Sequence, residues 1–227
     1  MSDETVGNAG PDEKRDGEFD HGSDLPVVST THEQRRSAGL LPFLTVGIGA
    51  SAGGVEAYIE LFSHLPPDTG MAFVVVSHLS ANQPSYLREI LARHTTMRTV
   101  NIETGMRPQP NRVHLLPPNV RVRMEGGRFH LEPREADGLP RTIDYFFQSL
   151  AADQRNHSVA IVLSGMDSDG VAGLRAINGE GGISIAQSPE SARFPEMPRS
   201  SISGDHVDMI LPPSQIASQL AEIAPLQ

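Results

Sequence analysis

A serine stands in the middle of a Gly-rich segment that directly follows a short apolar run. The segment Gly49-Ala50-Ser51-Ala52-Gly53 matches G-x-S-x-G, the nucleophile elbow, in which small neighbours let the backbone turn sharply and keep the hydroxyl clear of the sheet. A helix that begins at such a turn directs free N–H groups and its positive dipole end at the site, where they stabilise an oxyanion. The pattern therefore predicts Ser51 as a nucleophile for acyl transfer.

The same glycines fit a second pattern. Gly47-x-Gly49-x-x-Ala52 matches the G-x-G-x-x-[GA] fingerprint of dinucleotide binding. That function needs an acidic residue about 20 positions further on, at the end of the next strand. The next apolar run ends instead in Ser77-His78. The nucleophile elbow is therefore favoured over dinucleotide binding, and a plain Gly-rich turn between a strand and a helix is the third interpretation.

Two further strand ends carry the partners that a serine nucleophile needs. His78 follows the apolar run 72–76, and imidazole is the natural base for a serine at neutral pH. The loop 164–170 follows the apolar run 159–163 and offers two carboxylates, one of which could orient the imidazole. On its own, an Asp or Ser in such a loop more often caps the N-terminus of the following helix. Together, the three strand ends favour a Ser–His–Asp triad.

These groups can meet only if the strands lie side by side. Short apolar strands alternate with amphipathic helices after residue 40, which is typical of an α/β fold with a mainly parallel sheet. In such a sheet, sites form at the carboxyl ends of the strands. Residues 112–131 are interpreted instead as an antiparallel β-hairpin region that turns at Gly126-Gly127. The predicted strands are 44–48, 72–76, 159–163, 183–186 and 207–211, and the predicted helices are 55–65, 87–91, 143–150, 171–177 and 214–223.

The first forty residues differ from the rest of the chain. They contain nine apolar, nine acidic and four basic residues, so their charge of −5 is half of the total of −10. Too few apolar side chains are present to offset the entropy cost of ordering the segment. We therefore expect a disordered acidic tail over residues 1–40 and a single domain over residues 41–227.

Composition excludes several classes of function. The net charge of −10 and the lack of a basic stripe argue against nucleic-acid binding. The absence of cysteine excludes disulfides, zinc-thiolate sites and thiol nucleophiles. Neither H-E-x-x-H nor a close His/carboxylate cluster is present, so we expect no metal site. Since there is no signal peptide and no apolar run of about 18 residues, we expect a cytoplasmic protein without membrane insertion.

Several motifs, taken in order, resemble those of one family. Residues 43–220 look like the catalytic domain of the chemotaxis protein-glutamate methylesterases, the CheB family, and in detail most like the methylesterase domains of larger hybrid chemotaxis-like sensor proteins. An ordered set of motifs is far more specific than G-x-S-x-G alone. The matching segments are 46–54 (VGIGASAGG), 76–79 (VSHL), 117–119 (PPN), 141–144 (RTID), 163–170 (LSGMDSDG) and 197–199 (MPR).

The resemblance implies a fold and an activity. The fold would be a doubly wound, mainly parallel sheet with an antiparallel β-hairpin. The activity would be hydrolysis of glutamate γ-methyl esters on chemoreceptor signalling domains or similar sensory proteins, with release of methanol and without a cofactor. Some members of the family also deamidate receptor glutamines. The partners implied are therefore methylated receptors, and the resemblance does not fix the oligomeric state.

The resemblance also implies roles for individual residues. The motif match assigns Ser51 as the nucleophile, His78 as the base and Asp169 as the partner of the histidine. It further implies that the backbone N–H of Met166 contributes to oxyanion binding. The predicted oxyanion and substrate loops are represented by Ala52, Met166 and Arg199.

Three features depart from the family pattern. Asp167 stands where the family commonly has glycine, and its charge could oppose the oxyanion or let it replace Asp169 as the partner of the histidine. Glu196 replaces a small residue before the Met-Pro-Arg motif, which affects substrate access. Family members usually carry an amino-terminal receiver domain, and the tail is too short to form one, so we expect no control by phosphorylation within this chain. An esterase for another carboxyl ester and a non-catalytic receptor- or kinase-binding module remain as alternatives.

Overall fold

The chain is described by a computed structural model over residues 39–77, 86–134 and 141–223. These residues belong to one unit, Thr31–Gln227. No helix within the described ranges is long and apolar enough to cross a membrane. The strands are β1 (Thr45–Ala50), β2 (Ala72–Ser77), β3 (Arg98–Asn101), β4 (Arg112–Leu115), β5 (Val120–Glu125), β6 (Arg128–Pro133), β7 (Ser158–Val162), β8 (Ile183–Gln187) and β9 (Met209–Leu211). The helices are α1 (Gly54–His64), α2 (Leu87–Leu91), α3 (Thr142–Gln154), α4 (Val171–Gly179), α5 (Glu196–Ser203) and α6 (Pro213–Ile223), with a 3-10 turn at Arg155–His157.

Seven of these strands form one parallel sheet in the order β3-β4-β2-β1-β7-β8-β9. Strand β1 pairs with β2 on one side, where Ala50 faces Ser77, and with β7 on the other, where Gly49 faces Val162. The central strands are buried almost along their whole length, as expected for a parallel sheet covered on both faces. The predicted doubly wound, mainly parallel sheet is confirmed.

Two hydrophobic cores lie on the two faces of the sheet. On one face, α1, α2 and α6 pack around side chains that include Phe62 and Phe73, whose rings meet edge to face with centroids 5.9 Å apart. On the other face, α3 covers the strands through Phe146 and Phe147, α4 covers them through Leu174, and the β5–β6 hairpin adds Phe129. Buried apolar side chains therefore hold the helices against both faces of the sheet.

The antiparallel hairpin is present, but its predicted extent was wrong at one end. Strands β5 and β6 form a separate two-stranded sheet that turns at Gly126 and Gly127, both with positive φ. The run Arg112–Leu115, expected within the hairpin region, is β4 of the main sheet and pairs in parallel with β2 and β3. The Pro117-Pro118 turn separates the two sheets, since proline donates no ladder hydrogen bond.

Candidate active site

The candidate site lies where the direction of strand order reverses, between β1 and β7. In open parallel sheets, ligands bind in the crevice at the carboxyl ends of such strands. Ser51 follows β1, and the aspartate loop, residues 163–170, follows β7. The N–H of Ser51 donates to the carbonyl oxygen of Ser164 at 3.0 Å. The N–H of Leu163 donates to the carbonyl oxygen of Gly49 at 2.8 Å. The structure therefore brings Ser51 and this loop together.

The turn that carries Ser51 is as sharp as its glycines predict. Gly53 has φ of 69° and immediately precedes α1, and the N–H of Gly54 donates to the carbonyl oxygen of Ser51 at 3.0 Å. A Cβ at Gly53 would lie 2.8 Å from the Oγ of Ser164, so the position has neither the conformation nor the space for a side chain. The N-cap residue of α1, Gly53, has no side chain to cap the helix, and N–H groups at a helix N-terminus favour an anionic group, here beside Ser51.

Asp169 lies in the loop after β7 and is buried, with 4% of its surface exposed. Its Oδ2 accepts the N–H of Ile143 at 2.9 Å and its Oδ1 accepts that of Asp144 at 2.8 Å. The carboxylate therefore caps α3, which precedes it in the chain. The N-cap position of α4 is held by Gly170, which has no side chain.

Asp167 has a different environment from Asp169. Asp167 is exposed, and its Oδ1 accepts the N–H of Asp169 at 2.8 Å. This hydrogen bond closes a local turn of the Asx type. The residue that stands where the family commonly has glycine is thus used to shape the loop. Asp169 is the buried one of the two carboxylates, which favours it as the residue that holds an imidazole.

The segment around Met166 is held by its neighbours. The N–H of Gly165 donates to the carbonyl oxygen of Phe194, and the carbonyl oxygen of Gly165 accepts the N–H of Met197, both at 3.0 Å. A Cβ at Gly165 would overlap the sulfur of Met197, so only glycine fits there. Met166 itself is 62% exposed at the mouth of the crevice. Its backbone N–H as an oxyanion donor stays a prediction.

Ser164 connects three segments of the site, and the sequence did not single it out. Its Oγ donates to the carbonyl oxygen of Ala52 at 2.8 Å and accepts the N–H of Phe194 at 3.0 Å. Its own N–H donates to the side-chain oxygen of Gln187 at 2.9 Å. The turn with Ala52, the aspartate loop and the segment before α5 are therefore joined at one buried hydroxyl. The signal available in the sequence was a polar residue directly after a buried strand.

Arg199 lies on a helix, although the Met-Pro-Arg motif was expected in a loop. The motif falls in α5, where Met197 is buried and Arg199 is exposed. Pro198 is tolerated because it occupies the first turn, where backbone N–H groups have no intrahelical acceptor. Glu196 begins the same helix with an exposed side chain, and a negative charge is favourable at a helix N-terminus. Contact of Arg199 with a substrate stays a prediction.

His78, the predicted base, lies outside the described residues. The residue before it, Ser77, ends β2 and is firmly held. The hydroxyl of Tyr58 forms a hydrogen bond with the Oγ of Ser77 at 2.9 Å and lies 3.1 Å from the carbonyl oxygen of Val76. Burial raises the pKa of Tyr58 above its usual range, so the hydroxyl stays protonated. The end of β2 is thus fixed beside the end of β1.

The described side chains offer hydrolytic chemistry more readily than metal chemistry. A half-buried serine followed by the N-terminus of α1, and a buried carboxylate, come after the carboxyl ends of the adjacent strands β1 and β7. Within the described ranges, no three His, Asp or Glu side chains are grouped as metal ligands.

Comparison with known proteins matches one family. The family model described as CheB methylesterase matches residues 46–220. Among solved structures, the crystal structure of the Thermotoga maritima CheB methylesterase catalytic domain is similar with a TM-score of 0.75 and 25% identity, over 81% of this chain and 100% of that one. The agreement in fold includes the whole of the solved domain.

Curated relatives agree with the family model. An uncharacterised 104.1 kDa protein of Rhodobacter capsulatus is 40% identical over 60% of this chain and 14% of its own length. A protein-glutamate methylesterase/protein-glutamine glutaminase of Geobacillus kaustophilus is 30% identical over 91% of this chain and 64% of its own length. A relative of Leptospira interrogans with the same name, qualified as putative, is 30% identical over 75% of this chain and 89% of its own length. The chain thus spans less than two thirds of the first two relatives.

Proposed function

We propose that this chain, which belongs to the CheB methylesterase family, hydrolyses glutamate γ-methyl esters of receptor proteins with Ser51 as its nucleophile. The observation that carries the proposal is the placement of Ser51 and the Asp169 loop on the two strands that flank the switch point of the sheet. The names of the relatives support the same reaction. The solved methylesterase domain, which is 25% identical to this chain, has a similar fold, and this supports the fold on which the site depends.

The reaction is an acyl transfer in two steps. The Oγ of Ser51 attacks the ester carbonyl carbon while His78 takes the hydroxyl proton. The tetrahedral intermediate collapses, the C–O bond to the methoxy group breaks, and His78 returns the proton so that methanol leaves. Water then attacks the acyl-enzyme with His78 again as the base, which frees Ser51 and the glutamate carboxylate. Asp169 orients the imidazole and stabilises its charged form.

Backbone N–H groups supply the oxyanion site in this proposal. The first N–H groups of α1 begin directly after the Ser51 turn, and the N-cap residue Gly53 has no side chain to cap them. The N–H of Met166 would come from the opposite wall, on a segment held through Gly165 on both its N–H and its carbonyl. Loss of one oxyanion donor costs about 10²–10³ in rate, so displacement of this segment should be costly.

The exposed surface around Ser51 supports a protein substrate. Met166 in the aspartate loop is 62% exposed, and Val55 in the first turn of α1 is 40% exposed. Apolar side chains at the rim give a receptor helix a surface to rest on while its modified glutamate enters the crevice. Methylated receptor signalling domains, or similar sensory proteins, are the proposed partners.

Methanol release from a methylated receptor signalling domain tests the proposal. The wild-type protein should release methanol, and Ser51→Ala should not, because the nucleophilic oxygen is lost. The matched control is Ser63→Ala, an exposed serine in the last turn of the same helix that follows Ser51. The proposal fails if folded wild type releases no methanol, or if Ser51→Ala is as active as Ser63→Ala.

A glutaminase activity at the same site is the second candidate, because several relatives carry both names. The same acyl-enzyme forms when a primary amide is attacked and ammonia leaves instead of methanol. Ammonia release from an unmethylated receptor domain with glutamine at the modified positions tests it. Ammonia release that survives Ser51→Ala would assign the deamidation to another site.

A further inference from the structure

Asp144 and Asp169 cap each other's helices. Asp169 accepts the N–H groups of Ile143 and Asp144 at the start of α3, at 2.9 and 2.8 Å. In return, the Oδ1 of Asp144 accepts the N–H groups of Gly170 and Gly173 at the start of α4, at 3.0 and 2.8 Å. Both carboxylates are buried, Asp144 with 3% of its surface exposed. The two helix ends are therefore held by a reciprocal pair of side chains.

The surroundings of Asp144 compensate for the burial of its charge. Burial raises the pKa of Asp144, and the charge of Asp169 raises it further, against the lowering effect of the hydrogen bond from Gly173. The guanidinium of Arg141 lies 3.1 Å from Oδ2 of Asp144 and offsets part of this cost. A buried acid beside a second buried acid needs such support, because isolated buried charges are costly.

The same helix end also touches the strand of the nucleophile. Ile143 packs against Gly49, where a Cβ would lie 2.5 Å from the Cγ2 of Ile143. Ile143 also lies against Gly170, where a Cβ would be 3.3 Å from that carbon. Gly49 is two residues before Ser51. The start of α3 thus packs against both the strand of Ser51 and the loop of Asp169, so a shift of α3 acts on both.

We propose that Asp144 is a positioning residue for the hydrolytic site. By holding the N–H groups at the start of α4, it fixes the Gly170 end of the aspartate loop, and with it Asp169 and the segment of Met166, against the strand of Ser51. Asp144 has no contact with a substrate in this proposal and acts through Asp169. The inference rests on the proposed function, in which Asp169 orients the catalytic imidazole.

The test compares Asp144→Ala with Asp153→Ala in the full chain. Asp153 is on the same helix and its carboxylate also accepts two backbone N–H groups, those of Gly126 and Gly127 at 2.6 and 2.9 Å, but at the other end of α3. Three quantities are measured for each variant: the urea midpoint of unfolding, the rate of Ser51 labelling by a fluorophosphonate, and kcat and KM for methyl ester hydrolysis.

Asp144→Ala should lower kcat and the labelling rate by about 10²-fold with KM unchanged, because misplacement of catalytic groups acts on the chemical step. Asp153→Ala should keep wild-type kcat although its unfolding midpoint also falls. Asp144→Asn keeps an oxygen acceptor and loses the ion pair with Arg141, so its kcat should fall only about tenfold.

Equal kcat in Asp144→Ala and Asp153→Ala would overturn the inference and leave the proposed function intact. If Asp144→Ala does not fold, the same comparison between Asp144→Asn and Asp153→Asn decides, and equal kcat there overturns the inference. A folded wild type that is neither labelled nor active would overturn the proposed function and this inference with it.

Discussion

His114 is a histidine whose surroundings keep its imidazole neutral. It lies in β4 with 1% of its surface exposed, its Nδ1 is 3.0 Å from the carbonyl oxygen of Phe73, and its Nε2 accepts the N–H of Gln109 at 3.3 Å. Since a carbonyl only accepts, Nδ1 carries the proton. Burial lowers the pKa of His114 to about 4. This histidine is therefore a neutral, buried member of the sheet.

The neutral state of His114 makes stability depend on pH. Between pH 6.5 and 4, the unfolded chain binds a proton at this position and the native protein does not, so the free energy of unfolding falls as pH falls through this window. The loss from this residue is about 3 kcal/mol. Urea unfolding from pH 7.5 to 4 should show a steeper decline for the wild type than for His114→Phe.

The comparison of slopes isolates His114 from other titrating groups. His64→Gln, at an exposed position of α1, is the control and should keep the wild-type slope. A His114→Phe variant with the wild-type slope would show that the native imidazole accepts a proton as easily as the unfolded one.

At the scale of elements, the site depends on the Oγ of Ser164, whose hydrogen bonds link three loops. In Ser164→Ala, the carbonyl of Ala52 loses its donor and the N–H of Phe194 loses its acceptor. We expect the free energy of unfolding to fall by about 1 to 3 kcal/mol, because these groups become unpaired. Methyl ester hydrolysis should fall as well, since the Ser51 turn and the Met166 segment are no longer linked. Urea unfolding and methanol release measure the two effects.

Ser201→Ala is the matched control for this substitution. Ser201 is also buried, but its hydroxyl has no hydrogen-bond partner in the described part of the chain. Its removal should leave stability unchanged or slightly raised, because an unpaired buried hydroxyl is unfavourable. Equal loss of stability in the two variants would mean that volume, and not the hydrogen bonds of Ser164, matters at this position.

The elements that position the site were predictable where their boundaries were sharp. Strands β1, β2 and β7 are apolar runs that end in Gly or polar residues, so Ser51 and a loop with two carboxylates could be placed from order alone. The choice of Asp169 over Asp167 came from the family resemblance. Strand β3 was not predicted, because its four residues lie at the sheet edge and include Arg98 and Asn101. Helix α5 was missed because Pro198 suggests a loop. The role of Asp144 depends on contact with a helix 26 to 29 residues away, which no local pattern encodes.

At the scale of the whole molecule, the folded domain includes residues just ahead of β1. The side chain of Gln154 donates to the carbonyl oxygen of Gly39 at 3.1 Å and accepts the N–H of Leu41 at 2.9 Å. A ring nitrogen of His157 lies 2.8 Å from the carbonyl oxygen of Leu41, whose side chain is buried in the core beside the hairpin. The predicted boundary at residue 41 therefore falls inside a hydrogen-bonded segment.

Two truncations distinguish this segment from the acidic residues before it. Removal of residues 1–38 should leave the urea midpoint and methanol release unchanged, because that stretch is rich in acidic residues and poor in apolar ones. Removal of residues 1–41 also deletes the buried Leu41 and leaves the side chain of Gln154, itself fully buried, without two partners. That truncation should lower the free energy of unfolding by about 3 kcal/mol, from lost apolar burial and unpaired amide groups together.

If the shorter truncation already abolishes methanol release, residues 1–38 contribute to the activity. Equal stability of both truncated proteins would instead mean that the contacts of Leu41 and Gln154 add little to the domain.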